Sequence, residues 1–125
     1  MLGWHISVYK QIDNGAVPAT FDSPHGTRLA VWQTGVSGLG WLDELVKQGK
    51  AIDLGGTGYP SRFTAPAEDL IPRIKGNPPG ARSTWACAGS DVLTEKWEGK
   101  TVVDGAASAD CRPDEWLLVE VWDES

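Results

Sequence analysis

No stretch of the chain restricts its fold more than Glu115 to Asp123, EWLLVEVWD. It is rich in the branched and aromatic side chains that suit a pleated surface, and residues two apart share a face. Leu117, Val119 and Val121 form one unbroken apolar face. Trp116, Leu118, Glu120 and Trp122 form the other, an amphipathic face in which two tryptophans flank an acid. A strand carrying apolar residues on both sides belongs in the interior of a sheet, so the remaining strands must be arranged around it.

Two further segments read as partners. Trp4 to Gln11, WHISVYKQ, alternates Trp4, Ile6 and Val8 with His5, Ser7 and Tyr9, the period of a half-buried strand. Thr27 to Thr34 places Leu29 and Val31 opposite Ala30 and Trp32, which suits a central strand antiparallel to the first. Between them lies an irregular connection punctuated by Pro, Ser, Asp and Gly. Leu39 to Gln48 carries Leu39, Leu42, Leu45 and Val46 on one helical stripe, with Ser37 as N-cap and Gly49 just past the end. A second helix is expected to open at Thr64-Ala65-Pro66 and to be kinked or restarted at Pro72. Ser83 to Ala88 reads as a short strand, and Asp91 to Val103 as either a helix or a hairpin. Gly105 to Asp110 reads as a loop or one short turn. The expected fold is a single α+β domain over residues 1–125, with a mixed or antiparallel sheet of about four to six strands. One main helix, Leu39 to Gln48, and one or two shorter ones pack on it.

Ala51 to Phe63, AIDLGGTGYPSRF, joins a short strand to an extended return arm through Gly55, Gly56 and Gly58. Pro60 confines that arm to an edge, a strand start or a bulge. Ile52 to Thr57, IDLGGT, resembles the first phosphate-binding motif of the sugar kinases in the actin-like ATPase superfamily. The resemblance implies a hairpin offering backbone N–H groups to nucleotide phosphate, with Arg62 near the place of a basic residue that often follows. Such kinases need two large domains, a second phosphate loop and an adenosine-binding segment, for which 125 residues leave no room. A glycine-rich hairpin at a sheet edge is the expectation.

Chemistry-bearing patterns are sparse. His5 and His25 stand in no metal-ligand spacing, and Cys87 and Cys111 flank a 23-residue gap without CxxC, so free thiols and no metal are expected. Adjacent acids such as Asp43-Glu44 and Glu68-Asp69 complement helix starts rather than face each other as general acid and base. Neither catalytic residues nor a cofactor are assigned. The net charge of −6 lies wholly in Thr64 to Ser125, which disfavours nucleic acid and favours a partner with a basic surface. Of the seven tryptophans, Trp4, Trp32, Trp41 and Trp85 fit a core, whereas Trp97, Trp116 and Trp122 have charged neighbours. With no membrane-length apolar run and no signal-like start, the expectation is a small acidic cytoplasmic accessory protein of bacterial or phage type. It would act by protein-protein binding, in the manner of immunity and inhibitor proteins. The alternative is a small-molecule or anion-binding domain, enzymatic or not, with its pocket at Gly55 to Arg62. The residues expected to border the functional surface are Asp53, Gly56, Thr57, Tyr59 and Arg62 on the hairpin, with Trp116, Glu120 and Trp122 on the strand. Exposed at the hairpin, Tyr59 and Arg62 are expected to tolerate substitution by alanine with little change in melting temperature.

Overall fold

The computed structural model describes residues 3–12, 15–35, 38–57, 60–74 and 102–123. Among the described residues, six strands form one antiparallel sheet: β1 (Trp4–Gln11), β2 (His25–Thr34), β3 (Ile52–Gly56), β4 (Ser61–Pro66), β5 (Val102–Val103) and β6 (Trp116–Asp123). Three helices accompany them among those residues: α1 (Gly40–Lys47), α2 (Ala67–Ile74) and α3 (Gly105–Ala109). The strand order is β3-β4-β6-β1-β2-β5, so β6 is interior, between β4 and β1. No described helix is long and apolar enough to cross a membrane.

The alternation in β1 and β6 sets which face meets the helices. Ile6 pairs with Val121 and Val8 with Val119, while Phe63 and Ala65 of β4 stand opposite Val119 and Leu117. All seven belong to the buried core, joined by Leu42 and Leu45 of α1 and Leu70 and Ile74 of α2. Trp32 is fully buried in that core, and Trp4 and Trp41 pack partly buried against it. Helix α1 ends as the sequence suggests. Gly49 adopts φ +76°, and Gly49 N–H bonds to Val46 O at 3.0 Å while Lys50 N–H bonds to Leu45 O at 2.9 Å. This doubly bonded reversal satisfies two otherwise orphaned helix carbonyls. At the other end Leu39 occupies the capping position without a side-chain bond; Ser37 lies outside the described residues.

Four expectations are corrected. Thr64 to Pro66 do not open a helix: they complete β4, whose pairing with β6 runs through Pro66 and Trp116. Of the two outcomes expected at Pro72, a restart does not occur, since Pro72 lies inside α2. In β2, Val8 pairs with Ala30 but Tyr9 with Arg28, so Leu29 is an extra residue. Such a bulge turns Leu29 to the same side as Ala30 and Trp32, which is why all three enter the core. The second face of β6 is also more buried than an amphipathic pattern suggests. Leu118 is inaccessible and Glu120 retains only 4 % of its exposure.

The cover on that face comes from residues 15–24, the connection between β1 and β2. Trp116 N–H bonds to Gly15 O at 2.9 Å, and Gln11 Nε2 bonds to Val17 O at 2.9 Å. Further along, Ala19 N–H bonds to the Thr64 hydroxyl at 3.1 Å, and that hydroxyl donates to Leu117 O at 2.7 Å. The hairpin is an edge feature, with β3 outermost and Pro60 immediately before β4. Gly56, at φ +124°, has no room for a side chain, since a Cβ would lie 2.6 Å from Ser61 Cα. The strand expected over Ser83 to Ala88 lies outside the described residues. So does the segment expected as helix or hairpin, Asp91 to Val103, apart from Val102 and Val103, which pair with Val31 and Ala30. The short turn expected after it is the five-residue helix α3, capped by Asp104, whose side chain accepts from Ala107 N–H at 2.9 Å.

Candidate functional site: a buried carboxylate beneath an aromatic rim

On the face of the sheet away from the helices, register brings Arg62 of β4 directly opposite Glu120 of β6. The Arg62 guanidinium donates to Glu120 Oε2 from Nε at 3.1 Å and from Nη2 at 2.7 Å. Its remaining nitrogen, Nη1, donates to Phe21 O at 2.6 Å and Ser23 O at 3.0 Å. The guanidinium also lies over the Phe21 ring, 5.5 Å from its centroid. One side chain therefore ties β6 and the connection before β2 to β4.

His25 reaches the same carboxylate from the far side. β2 is separated from β6 by β1, yet a further register shift between Tyr9 and Gln11 re-aims the start of β2. The His25 ring stacks on Tyr9, centroids 4.0 Å apart and planes 2° from parallel, and Nε2 lies 2.9 Å from Glu120 Oε2. Trp122, two residues along β6 on the same face, donates its indole N–H to Glu120 Oε1 at 3.0 Å. Three donors thus converge on Oε2 and one on Oε1.

Burial is the largest single influence on Glu120 and pushes its pKa up. The hydrogen bonds from Trp122, His25 and Arg62, with the charge of His25, outweigh it and hold the carboxyl below its ordinary value. The group is ionised and accepts only. It follows that His25 Nε2 carries a proton, so the 3.2 Å approach of Arg62 Nη2 to that nitrogen is a contact between two donors and not a hydrogen bond. An ionised carboxylate with this donor set is a poor general acid or base near neutral pH. What the network does is fix aromatic surface: Phe21 is 38 % and Trp122 39 % exposed, each beside a group it cannot easily leave.

Of the residues singled out in the sequence, Arg62, Glu120 and Trp122 meet here. Arg62 is not the exposed side chain expected of it, with 15 % of its accessibility left. Trp116 shares the face but stands at the opposite end of β6, half-buried. Asp53, Gly56 and Thr57 are exposed on the hairpin, and Asp53 Oδ1 accepts from Gly55 N–H at 2.8 Å, a bond that shapes the bulge at Leu54. Tyr59 lies outside the described residues. Sequence reasoning missed Tyr9, Phe21 and His25. The alternation of β1 already placed Tyr9 on the polar face; nothing local marks Phe21 or His25, which the chain brings in from an irregular connection.

Among the described residues, no group of three or more His, Cys, Asp or Glu is placed to hold a metal ion. No family model, curated protein or solved structure matches the chain.

Proposed function

We propose that the chain is a non-catalytic, acidic binding domain that recognises a protein with a basic surface, in the manner of small immunity and inhibitor proteins. Trp122 carries the reading. It presents more than a third of its surface while its N–H is pinned to a buried carboxylate at 3.0 Å. A tryptophan locked before binding loses little entropy on contact, and aromatic anchors dominate interface energetics. Its π-face suits the lysine or arginine of a basic partner, toward which a net charge of −6 would steer the domain. Phe21, His25 and the hairpin residues Asp53, Gly56, Thr57 and Tyr59 would border the contact.

The rival, an anion held at Gly55 to Arg62, requires Arg62 to turn away from Glu120. That would strip two donors from a carboxylate with 6 % side-chain exposure, so the geometry favours the protein partner. Capture from the native host at low and moderate salt, with wild type, Trp122→Ala and Phe21→Ala, tests the proposal. Salt-sensitive retention of one protein, weakened roughly 30-fold by Trp122→Ala, is the expected result for a hot-spot residue. Retention unaffected by Trp122→Ala and Phe21→Ala, or a small molecule copurifying regardless of salt, would overturn it.

A further inference from the structure

A cleft of about 600 Å³ opens at one end of the sheet, bordered by Lys10 of β1, Gly26 and Thr27 of β2, and Asp110, Arg112 and Glu115 from the segment between α3 and β6. An interruption of the β1-β2 ladder makes room for it. Tyr9 pairs with Arg28 and Gln11 with His25, so Lys10 alone stands opposite Gly26 and Thr27, a bulge that ends regular pairing. Position 26 must be glycine there, since a Cβ would lie 2.5 Å from Lys10 O. The border carries two bases, Lys10 and Arg112, and two acids, Asp110 and Glu115. Three of these, Glu115, Lys10 and Asp110, act electrostatically on the Cys111 thiol, which places them close together. Glu115 is the unusual member, with only 5 % of its exposure left. Its Oε1 accepts from Arg112 N–H at 3.2 Å, while Oε2 is not sealed off and faces Lys10 Nζ at 3.7 Å, an ion pair too long to be a hydrogen bond. The cleft thus holds an ammonium and a buried carboxylate oxygen side by side, each with hydrogen-bonding capacity unused.

We infer that this cleft binds a small α-amino acid as its zwitterion, with the ligand carboxylate received by Lys10 and Arg112 and its ammonium by Glu115 Oε2 and Asp110. A simple anion would meet two acids there and a simple cation two bases. Only a ligand carrying both charges on neighbouring atoms answers opposite charges set 3.7 Å apart. A bridging water spans such a gap, but one water leaves Asp110 and Arg112 unused. The volume is that of a small-molecule site, roughly 300–1,000 Å³. None of these residues belongs to the aromatic rim, so the inference stands apart from the protein contact proposed there.

L-alanine serves as the probe, titrated into the isotope-labelled full chain and followed by amide chemical shifts, beside propionate and ethylamine, each of which keeps one of its two charges. Saturable shifts at Lys10, Gly26, Thr27 and Glu115 are expected with L-alanine. Propionate and ethylamine should each bind about ten-fold more weakly or worse, the usual worth of a hydrogen bond to a charged group. Lys10→Met keeps the aliphatic stem and Glu115→Gln the shape, and each should weaken L-alanine by about ten-fold while leaving the rest of the spectrum in place. Shifts that fail to saturate or fall elsewhere, equal binding of propionate or ethylamine, or unchanged affinity in either variant overturn the inference; should Glu115→Gln not fold, the half-exposed Lys10→Met decides alone.

Discussion

Replacing Arg62 by alanine should unfold a large part of this protein's margin of stability. The substitution removes two bonds to Glu120 Oε2, at 3.1 and 2.7 Å, and two to the carbonyls of Phe21 and Ser23, at 2.6 and 3.0 Å. Breaking a buried ion pair from one side costs about 3–5 kcal/mol, because the surviving charge stays buried. Glu120 keeps His25 and Trp122 as donors, so the lower end, about 3 kcal/mol, applies to that half. Loss of the two loop bonds adds ~1–2 kcal/mol. The sum, about 4 kcal/mol, is a large share of the ~5–15 kcal/mol that holds a domain together. Urea unfolding followed by tryptophan fluorescence should show the midpoint falling by roughly 1.3–4 M, for slopes of about 1–3 kcal/mol per molar. Arg62→Lys should fall between, since an ammonium keeps the charge but cannot span Glu120 and both carbonyls. A loss under about 1 kcal/mol in Arg62→Ala would refute the argument and return Arg62 to the solvated surface.

The pH dependence follows from Glu120, whose folded pKa lies below the ordinary 4.5. Its contribution is present above that value and is lost as pH falls through the lower folded one, so the stability gap between wild type and Glu120→Gln should be constant near neutrality and close in acid. Amide exchange should be slowest at Leu117 to Val121, in the strand flanked on both sides; loop-like rates there would contradict the sheet order. Cys111 has its pKa raised above 9.0, first by burial and then by the charge of Glu115, so it should react more slowly than free cysteine with a disulfide reagent at pH 8.

The parts of the fold legible in the sequence were those whose pattern is local. Alternation alone located β1 residue for residue and marked β6 as interior, and Gly49 announced the end of α1. The errors arose where a distant partner decided. Thr64-Ala65-Pro66 looks like a helix start, but β6 offers those residues a ladder; Leu29 reads as facing opposite Ala30 and Trp32 until a bulge turns it. The candidate site divides the same way. Glu120 and Trp122 were conspicuous as an acid and a tryptophan on one strand face, and Arg62 was noticed for its hairpin. That Arg62 answers Glu120 depends on a register between strands 58 residues apart, and His25 arrives over Tyr9 from 95 residues away. No window of sequence contains that information.

The strand order also dictates when this protein can fold. β1 and β4 emerge early from the ribosome, but the neighbour they share is β6, and the bond from Gln11 to Trp116 spans 105 residues. Until β6 is made, two half-sheets, β1-β2 and β3-β4, each offer it an open edge, and the Glu120 carboxylate that Arg62 and His25 are built around is missing. Arg62 then waits in the nascent chain as an unpaired cation, and His25 lacks its acceptor. Folding should therefore be a late, cooperative event after β6 is released, slow for a chain of this size because its decisive contacts are the longest ones. A nascent chain stalled before Trp116 should expose both edges to chaperones and to other copies of itself.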